Sequence, residues 1–155
     1  MIEESIAIQV CSNIGMPEVV AAILEREGRV LICRRKPEQL HPLQWEFPGG
    51  KVEAGESPEQ AMARELEEEL DIRHAAGDEI ARYEYCYPEK KPIVLIFFRV
   101  RTFSGEPRNV VFHEMRWEFP ARFSEYDFLE GDREFLRTYT GAYGILDPND
   151  RPGPE

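Results

Sequence analysis

Cysteine is scarce in this chain. Cys11, Cys33 and Cys86 are odd in number, far apart, and never form a Cys-x-x-Cys pair. That argues against a disulfide framework and against a cysteine-based zinc site, and it suits a reducing cytoplasm. Positive charge is also short: Lys and Arg number 19 against 30 Asp and Glu, a net charge of -11 at pH 7. Long contact with a nucleic-acid backbone is therefore disfavoured, and no polymer partner is expected. No apolar run approaches the ~18 residues of a membrane span, and no basic stretch precedes an apolar core at the N-terminus, so neither a membrane nor export is expected. No internal repeat is visible. What remains, at 155 residues, is one compact α/β domain large enough to bury a core without staples and suited to a small substrate, as a monomer or homodimer.

The strongest local signal runs from Gly49 to Ile72. It predicts a tight loop followed by a helix: Ser57 caps the first free amides, Pro58 suits the first helical position, and Gln60 completes a Ser-x-x-Gln capping box. Met62, Leu66 and Leu70 recur at i, i+4, i+8 and form an apolar seam for docking on a sheet. Glu65, Glu68 and Glu69 converge on one helical face despite a mutual repulsion of a few tenths of a kcal/mol per pair. Carboxylates with no Cys or His among them suit Mg²⁺ or Mn²⁺, which keep several waters and bridge to substrate phosphates. Gly49 and Gly50 supply bare backbone able to turn sharply and to offer a carbonyl to a metal or amides to a phosphate.

Elsewhere the pattern predicts a mixed fold around that helix. Met1–Met16 is a short strand (Ile6, Ile8, Val10) or a leader. Val19–Leu24 and Val30–Cys33 flank Glu25-Arg26-Glu27-Gly28 as a hairpin. Arg35 sits among three cations at a strand end, where a guanidinium can recognise phosphate or base in two-point fashion. Trp45 reads as core beneath the glycine loop. Ile80–Tyr87 and Ile93–Phe103 read as long strands joined at Pro88, the second nearly continuous in apolar residues and therefore central. Met115–Trp117 reads as a short strand and Gly131–Tyr139 as a helix, with a tail after Asp147 too polar to order itself.

Gly50, five residues, Glu56, seven residues, then Arg64-Glu65-Leu66-x-Glu68-Glu69-x-Asp71-Ile72 resembles the Nudix box, G-x5-E-x7-R-E-U-x-E-E-x-G-U with U apolar. One fixed position departs, Asp71 for Gly, and Asp tolerates a left-handed helix end better than most residues. The resemblance spans roughly residues 17–140, between an extension (1–16) and a tail (141–155). It is strongest to the branch of mutator-type 8-oxo-dGTP diphosphatases and CTP pyrophosphohydrolases, through Trp45-Glu-Phe-Pro-Gly-Gly-Lys-Val-Glu53 and Asp127-Phe-Leu-Glu-Gly-Asp132.

The resemblance implies the Nudix fold, a mixed sheet between helices with a loop-helix-loop catalytic motif. It also implies Mg-dependent hydrolysis of a nucleoside triphosphate to a monophosphate and pyrophosphate, with a role in nucleotide-pool sanitation. By the same resemblance Glu65, Glu68, Glu69 and the Gly49 carbonyl hold the metal, Glu56 pairs with Arg64, and Arg35, Phe47, Gly50, Lys51 and Asp132 contact the substrate. Glu65 is the first choice for general base. The branch's extra Glu position is Val111 here, which leaves Glu114 or Glu106 as a substitute ligand or base. An ionised Asp132 would accept, as from an exocyclic amine, but not donate, which makes cytosine an option beside a guanine-type base. Other members of the family act on ADP-ribose, dinucleoside polyphosphates or capped RNA, or bind nucleotides without turning them over.

Overall fold

The computed structural model describes residues 15–142; the strand or leader read within Met1–Met16 and the tail beyond Asp147 lie, but for residues 15 and 16, outside them. In chain order the elements are β1 (Glu18–Ile23), β2 (Glu25–Arg26), β3 (Arg29–Arg34), β4 (Trp45–Glu46), β5 (Gly49–Lys51), α1 (Pro58–Leu70), β6 (Arg73–Tyr85), β7 (Ile93–Ser104), β8 (Glu114–Glu118), a 3-10 turn (Pro120–Glu125) and α2 (Glu130–Ala142). One sheet has the order β5-β1-β7-β6 and is mixed, since β1 runs parallel to β7 and antiparallel to β5. The second sheet is antiparallel, with β2 and β4 on one edge of β3 and β8 on the other.

The central position of β7 follows from its sequence. Ile96 and Phe98 join one core cluster while Leu95 and Phe97 join the other, so a continuous apolar run is what a strand buried on both faces requires. β1 divides in the same way: Val20 and Ala22 pack with Met62, Leu66 and Leu70 of α1, and Ala21 and Ile23 pack with Phe135 and Tyr139 of α2. The mixed sheet therefore lies between two helices. Phe97 and Phe135 stack at 4.1 Å with planes 3° apart, tying α2 to the sheet.

Three expectations are corrected. Val19–Leu24 and Val30–Cys33 do not form a hairpin with each other: β1 belongs to the mixed sheet, and after Leu24 the chain crosses to the second sheet, where β2 pairs with β3. Both strands are apolar because each is buried, whatever its partner. Gly49–Lys51 is a short strand paired with β1 rather than a free loop. The strand expected at Ile80–Tyr87 begins at Arg73 and ends at Tyr85. Its polar first half, Arg73–Glu79, is an edge strand broken by register shifts, and it hides from a period-two reading because bulges reset the alternation. After it, Tyr87 O accepts from Lys90 N–H at 3.0 Å, and Glu89 has φ 61, the turn that Pro88 initiates. Among the described residues no helix is long and apolar enough to cross a membrane.

Candidate active site

α1 starts and stops as its sequence dictates. Ser57 accepts from Gln60 N–H at 3.1 Å and the Gln60 side chain accepts from Ser57 N–H at 2.8 Å, while Asp71 ends the helix in the left-handed conformation, φ 57 and ψ 34. The Asp71 N–H bonds Glu67 O, and two later amides, Arg108 at 2.8 Å and Val110 at 3.1 Å, satisfy the carbonyls of Leu70 and Glu69. The departure from Gly at position 71 therefore leaves the helix end intact. Ala61, Met62, Leu66 and Leu70 are buried against the sheet, which turns Glu65, Glu68 and Glu69 toward β5 and solvent.

The glycine pair fits this face without side chains. Gly49 N–H donates to Glu69 Oε1 at 2.9 Å. A Cβ on Gly49 would stand 1.9 Å from the Val20 carbonyl oxygen, and one on Gly50 would stand 2.5 Å from the Glu65 carboxyl carbon. Arg64 is the hub of the motif. Its guanidinium grips Glu56 through two contacts (2.6 and 3.0 Å), donates to Glu65 at 2.9 Å and to the Lys51 carbonyl at 3.0 Å, and lies 3.4 Å from Glu68. Hydrogen bonding to Arg64 holds the Glu56 carboxyl below the ordinary range.

The other carboxyls run the opposite way. Burial pushes Glu69 up to about 8; its bond from Gly49 opposes this, and Glu65, Glu46 and Glu68 push further. Burial likewise raises Glu65 against the pull of Arg64. Crowded, partly desolvated carboxylates of this kind fit a hard divalent cation, whose charge would reverse those shifts. Among the described residues, however, no three metal-ligating side chains are already gathered around one point.

Beside α1 lies a cavity of about 260 Å³. Its lining brings Gly49, Gly50, Lys51 and Glu69 together with Arg35, Glu46, Phe47, Tyr87 and Asp132. β4 brings that second set together. Trp45 N–H bonds Asp127 O and Trp45 O accepts from Leu129 N–H, each at 2.9 Å, so the segment leading into α2 is pinned alongside Glu46. Arg35 Nη1 is 3.2 Å from both oxygens of Glu46, and its Nε donates to Leu40 O at 2.7 Å.

Asp132 is 5% exposed. Its carboxyl is pushed up to about 8, by burial first and then by Glu46, against the Phe47 backbone hydrogen bond and Arg35. Burial thus favours the protonated form, in which the group would donate as well as accept. The Phe47 ring lies in the aromatic core, 5.5 Å from Phe128 and 5.9 Å from Phe135. Glu114 sits on β8, 2.6 Å from Arg116 and 3.6 Å from Arg34, and does not line the cavity. Glu106, the other substitute for the branch's extra Glu, pairs with Arg26 at 2.7 Å, away from the cavity lining.

Glu46 and Tyr87 are the residues that reading the sequence missed. For Glu46 a signal was present: a lone acid between Trp45 and Phe47 in an extended stretch must face away from the core those rings enter. A roomier hollow of about 570 Å³, between the 3-10 turn and α2, contains none of the expected site residues.

A family model described as "NUDIX domain" matches residues 16–139. The chain is 35% identical over 124 residues to the CTP pyrophosphohydrolase of Escherichia coli, covering 80% of this chain and 91% of that protein. It is 42% identical over 91 residues to the 8-oxo-dGTP diphosphatase of Haemophilus influenzae, covering 58% and 66%. The solution structure of the E. coli ORF135 protein superposes with a TM-score of 0.73 at 34% identity, covering 81% of this chain and 89% of that one.

Proposed function

The chain belongs to the Nudix family, and on that premise we propose that it is a nucleoside triphosphate pyrophosphohydrolase that splits its substrate into a nucleoside monophosphate and pyrophosphate. The observation that carries this reading is one cavity lined by two chemically distinct sets of residues. One set, Gly49, Gly50, Lys51 and Glu69, adjoins the acidic face of α1 through the Gly49–Glu69 bond, and the other comprises Arg35, Glu46 and Asp132. A polyphosphate suits the first and a nucleobase the second. Relatives named as CTP and 8-oxo-dGTP enzymes point to the same substrate class.

Glu65, Glu68 and Glu69, with the Gly49 carbonyl, would hold Mg²⁺ or Mn²⁺, which when bound supplies neutralisation of the phosphate charge and a lowered pKa for an attacking water. The residues of the chain do the rest. Arg64 fixes Glu56 and Glu65 and ties the loop to the helix. Amides of the glycine strand and Lys51 orient the phosphates. A carboxylate of α1, Glu65 in the first instance, removes a proton from water as its oxygen bonds to the β-phosphorus. The bond from that phosphorus to the α–β bridging oxygen breaks, and the monophosphate leaves with that oxygen.

The test is a panel of CTP, dCTP, dGTP, 8-oxo-dGTP and ADP-ribose with Mg²⁺, read by phosphorus NMR. The expected products are a monophosphate and pyrophosphate from one or more of the triphosphates. Orthophosphate as the first product, or turnover of ADP-ribose alone, overturns the reading.

A further inference from the structure

Asp132 stands in the first turn of α2, and the structure shows what holds that turn in place. Tyr83 Oη donates to the Gly131 carbonyl at 2.5 Å and accepts from Phe135 N–H at 3.2 Å. Tyr87 Oη accepts from Gly131 N–H at 3.2 Å. Helix starts leave amides without partners inside the helix, and here the Tyr87 phenol meets one of them, Gly131 N–H. The fit is close: a Cβ on Gly131 would lie 2.6 Å from Tyr87 Oη and 3.2 Å from its Cζ. Glycine at 131 is therefore what lets the ring approach the residue next to Asp132.

Tyr87 also reaches the opposite wall. Its ring lines the cavity and meets the His41 ring at 5.0 Å. His41 belongs to the β3–β4 loop, the same loop whose Leu40 carbonyl takes the Arg35 guanidinium. One side chain thus touches both elements that carry the polar groups of the second set, the α2 start with Asp132 and the loop that anchors Arg35. Tyr85 packs edge-on against Tyr87 at 4.7 Å and fixes its plane. Burial and the nearby Asp132 hold the Tyr87 phenol up at about 12, so it stays neutral and its oxygen remains available to Gly131.

We propose that Tyr87 is a positioning residue for substrate selection, setting the place of Asp132 through Gly131 and the place of the Arg35 loop through His41. The proposal rests on the nucleotide reading above. The groups that Tyr87 meets, His41, Tyr85 and Gly131, lie outside α1, so its influence falls on which nucleotide binds and not on the phosphate chemistry.

The test compares wild type with Tyr87→Phe, which deletes one oxygen and keeps the ring, and with Gly131→Ala, which forces the ring and helix apart. For each, kcat and KM are measured with CTP, dCTP, dGTP and 8-oxo-dGTP, binding of the matching monophosphates is measured calorimetrically without divalent cation, and thermal unfolding is recorded. In Tyr87→Phe, KM for the preferred nucleotide should rise about three- to tenfold with kcat within about twofold, and the spread among the four nucleotides should contract. Monophosphate affinity should fall by the same factor, and Gly131→Ala should reproduce the pattern. Unchanged ratios among nucleotides, or equal losses on all four, in a folded variant overturn the proposal. Wild type that hydrolyses none of the four sinks the pyrophosphohydrolase reading instead, and the monophosphate binding then decides on Tyr87 alone.

Discussion

The two sets of residues that line the cavity, the glycine strand with α1 and the Arg35–Glu46–Asp132 group, manage buried charge differently. At the first, one continuous stretch supplies everything: Arg64 distributes its donors over Glu56, Glu65 and the Lys51 carbonyl, and the surplus carboxylates, Glu68 and Glu69, face a place suited to a cation. At the second, Arg35, Glu46, Tyr87 and Asp132 come from four separate segments, and the single guanidinium is already engaged by Glu46. The Asp132 carboxyl beside them is pushed up to about 8, by burial first and then by Glu46. Glu69 is pushed equally far, so what separates the two places is their company: several carboxylates on α1 that a cation could draw back into charge, against one Arg35–Glu46 pair beside Asp132.

The largest effect expected from breaking this contrast is on α1. Glu69→Gln keeps an oxygen for Gly49 N–H and a good helix former, but removes a charged ligand. It should cut kcat by roughly 10²- to 10³-fold at saturating Mg²⁺ with the unfolding midpoint unchanged or raised. Glu68→Gln, at a more exposed carboxylate, should lose most of its turnover too. Activity within a few fold of wild type in either variant would remove that residue from the metal set.

The glycine pair separates structure from chemistry. Gly49→Ala would press a methyl onto the Val20 carbonyl, and backbone cannot retreat as a side chain can, so a loss of about 3 kcal/mol of stability is expected by denaturant titration. Gly50→Ala displaces only the movable Glu65 carboxyl. It should cost about 1 kcal/mol or less in stability yet lower kcat/KM about tenfold or more. Equal stability losses in the two variants would contradict the packing described.

A smaller change is expected for Arg64→Lys. An ammonium cannot reach Glu56 by two parallel contacts and the Lys51 carbonyl as well, so the loop should loosen by about 1–3 kcal/mol. Lowered Tm together with lowered kcat is the expected signature, and wild-type behaviour in both would mean that Arg64 is not the brace.

The remaining effect concerns pH. Asp132 titrates at about 8 when folded and near ~3.9 when unfolded, so between those values the folded protein holds a proton that the unfolded chain has lost. This contribution is fully present below about pH 4 and fades as pH rises through about 8. Asp132→Asn lacks that dependence. Its Tm should therefore gain on wild type as pH rises from 5 to 8, and a gap that stays constant with pH would mean that Asp132 is ionised in the native state.

How much of this was legible follows from where the determinants lie. Ser57, Gln60 and Asp71 act within their own helix, so cap, box and left-handed end could be read residue by residue. The double burial of β7 was legible because both faces needed apolar residues. The sheet change at Leu24 was not, because burial makes β1 and β3 look alike whatever they pair with. Arg35 and Asp132 carried a family signal, whereas Tyr87 carried none: its partner Gly131 lies 44 positions away in sequence, and only the folded chain brings phenol and amide together.

The central claim is the division of labour between the two sets of residues, and it is tested most directly by kcat/KM for CTP, dCTP, dGTP and 8-oxo-dGTP in wild type, Glu69→Gln and Asp132→Asn. Glu69→Gln should depress all four by a common factor, leaving their ratios intact. Asp132→Asn should change the ratios, with a loss of roughly ten- to a hundredfold on the preferred base and smaller changes elsewhere. A uniform loss in Asp132→Asn, or a base-selective one in Glu69→Gln, would contradict the assignment of phosphate chemistry to α1 and base selection to the Arg35–Glu46–Asp132 group.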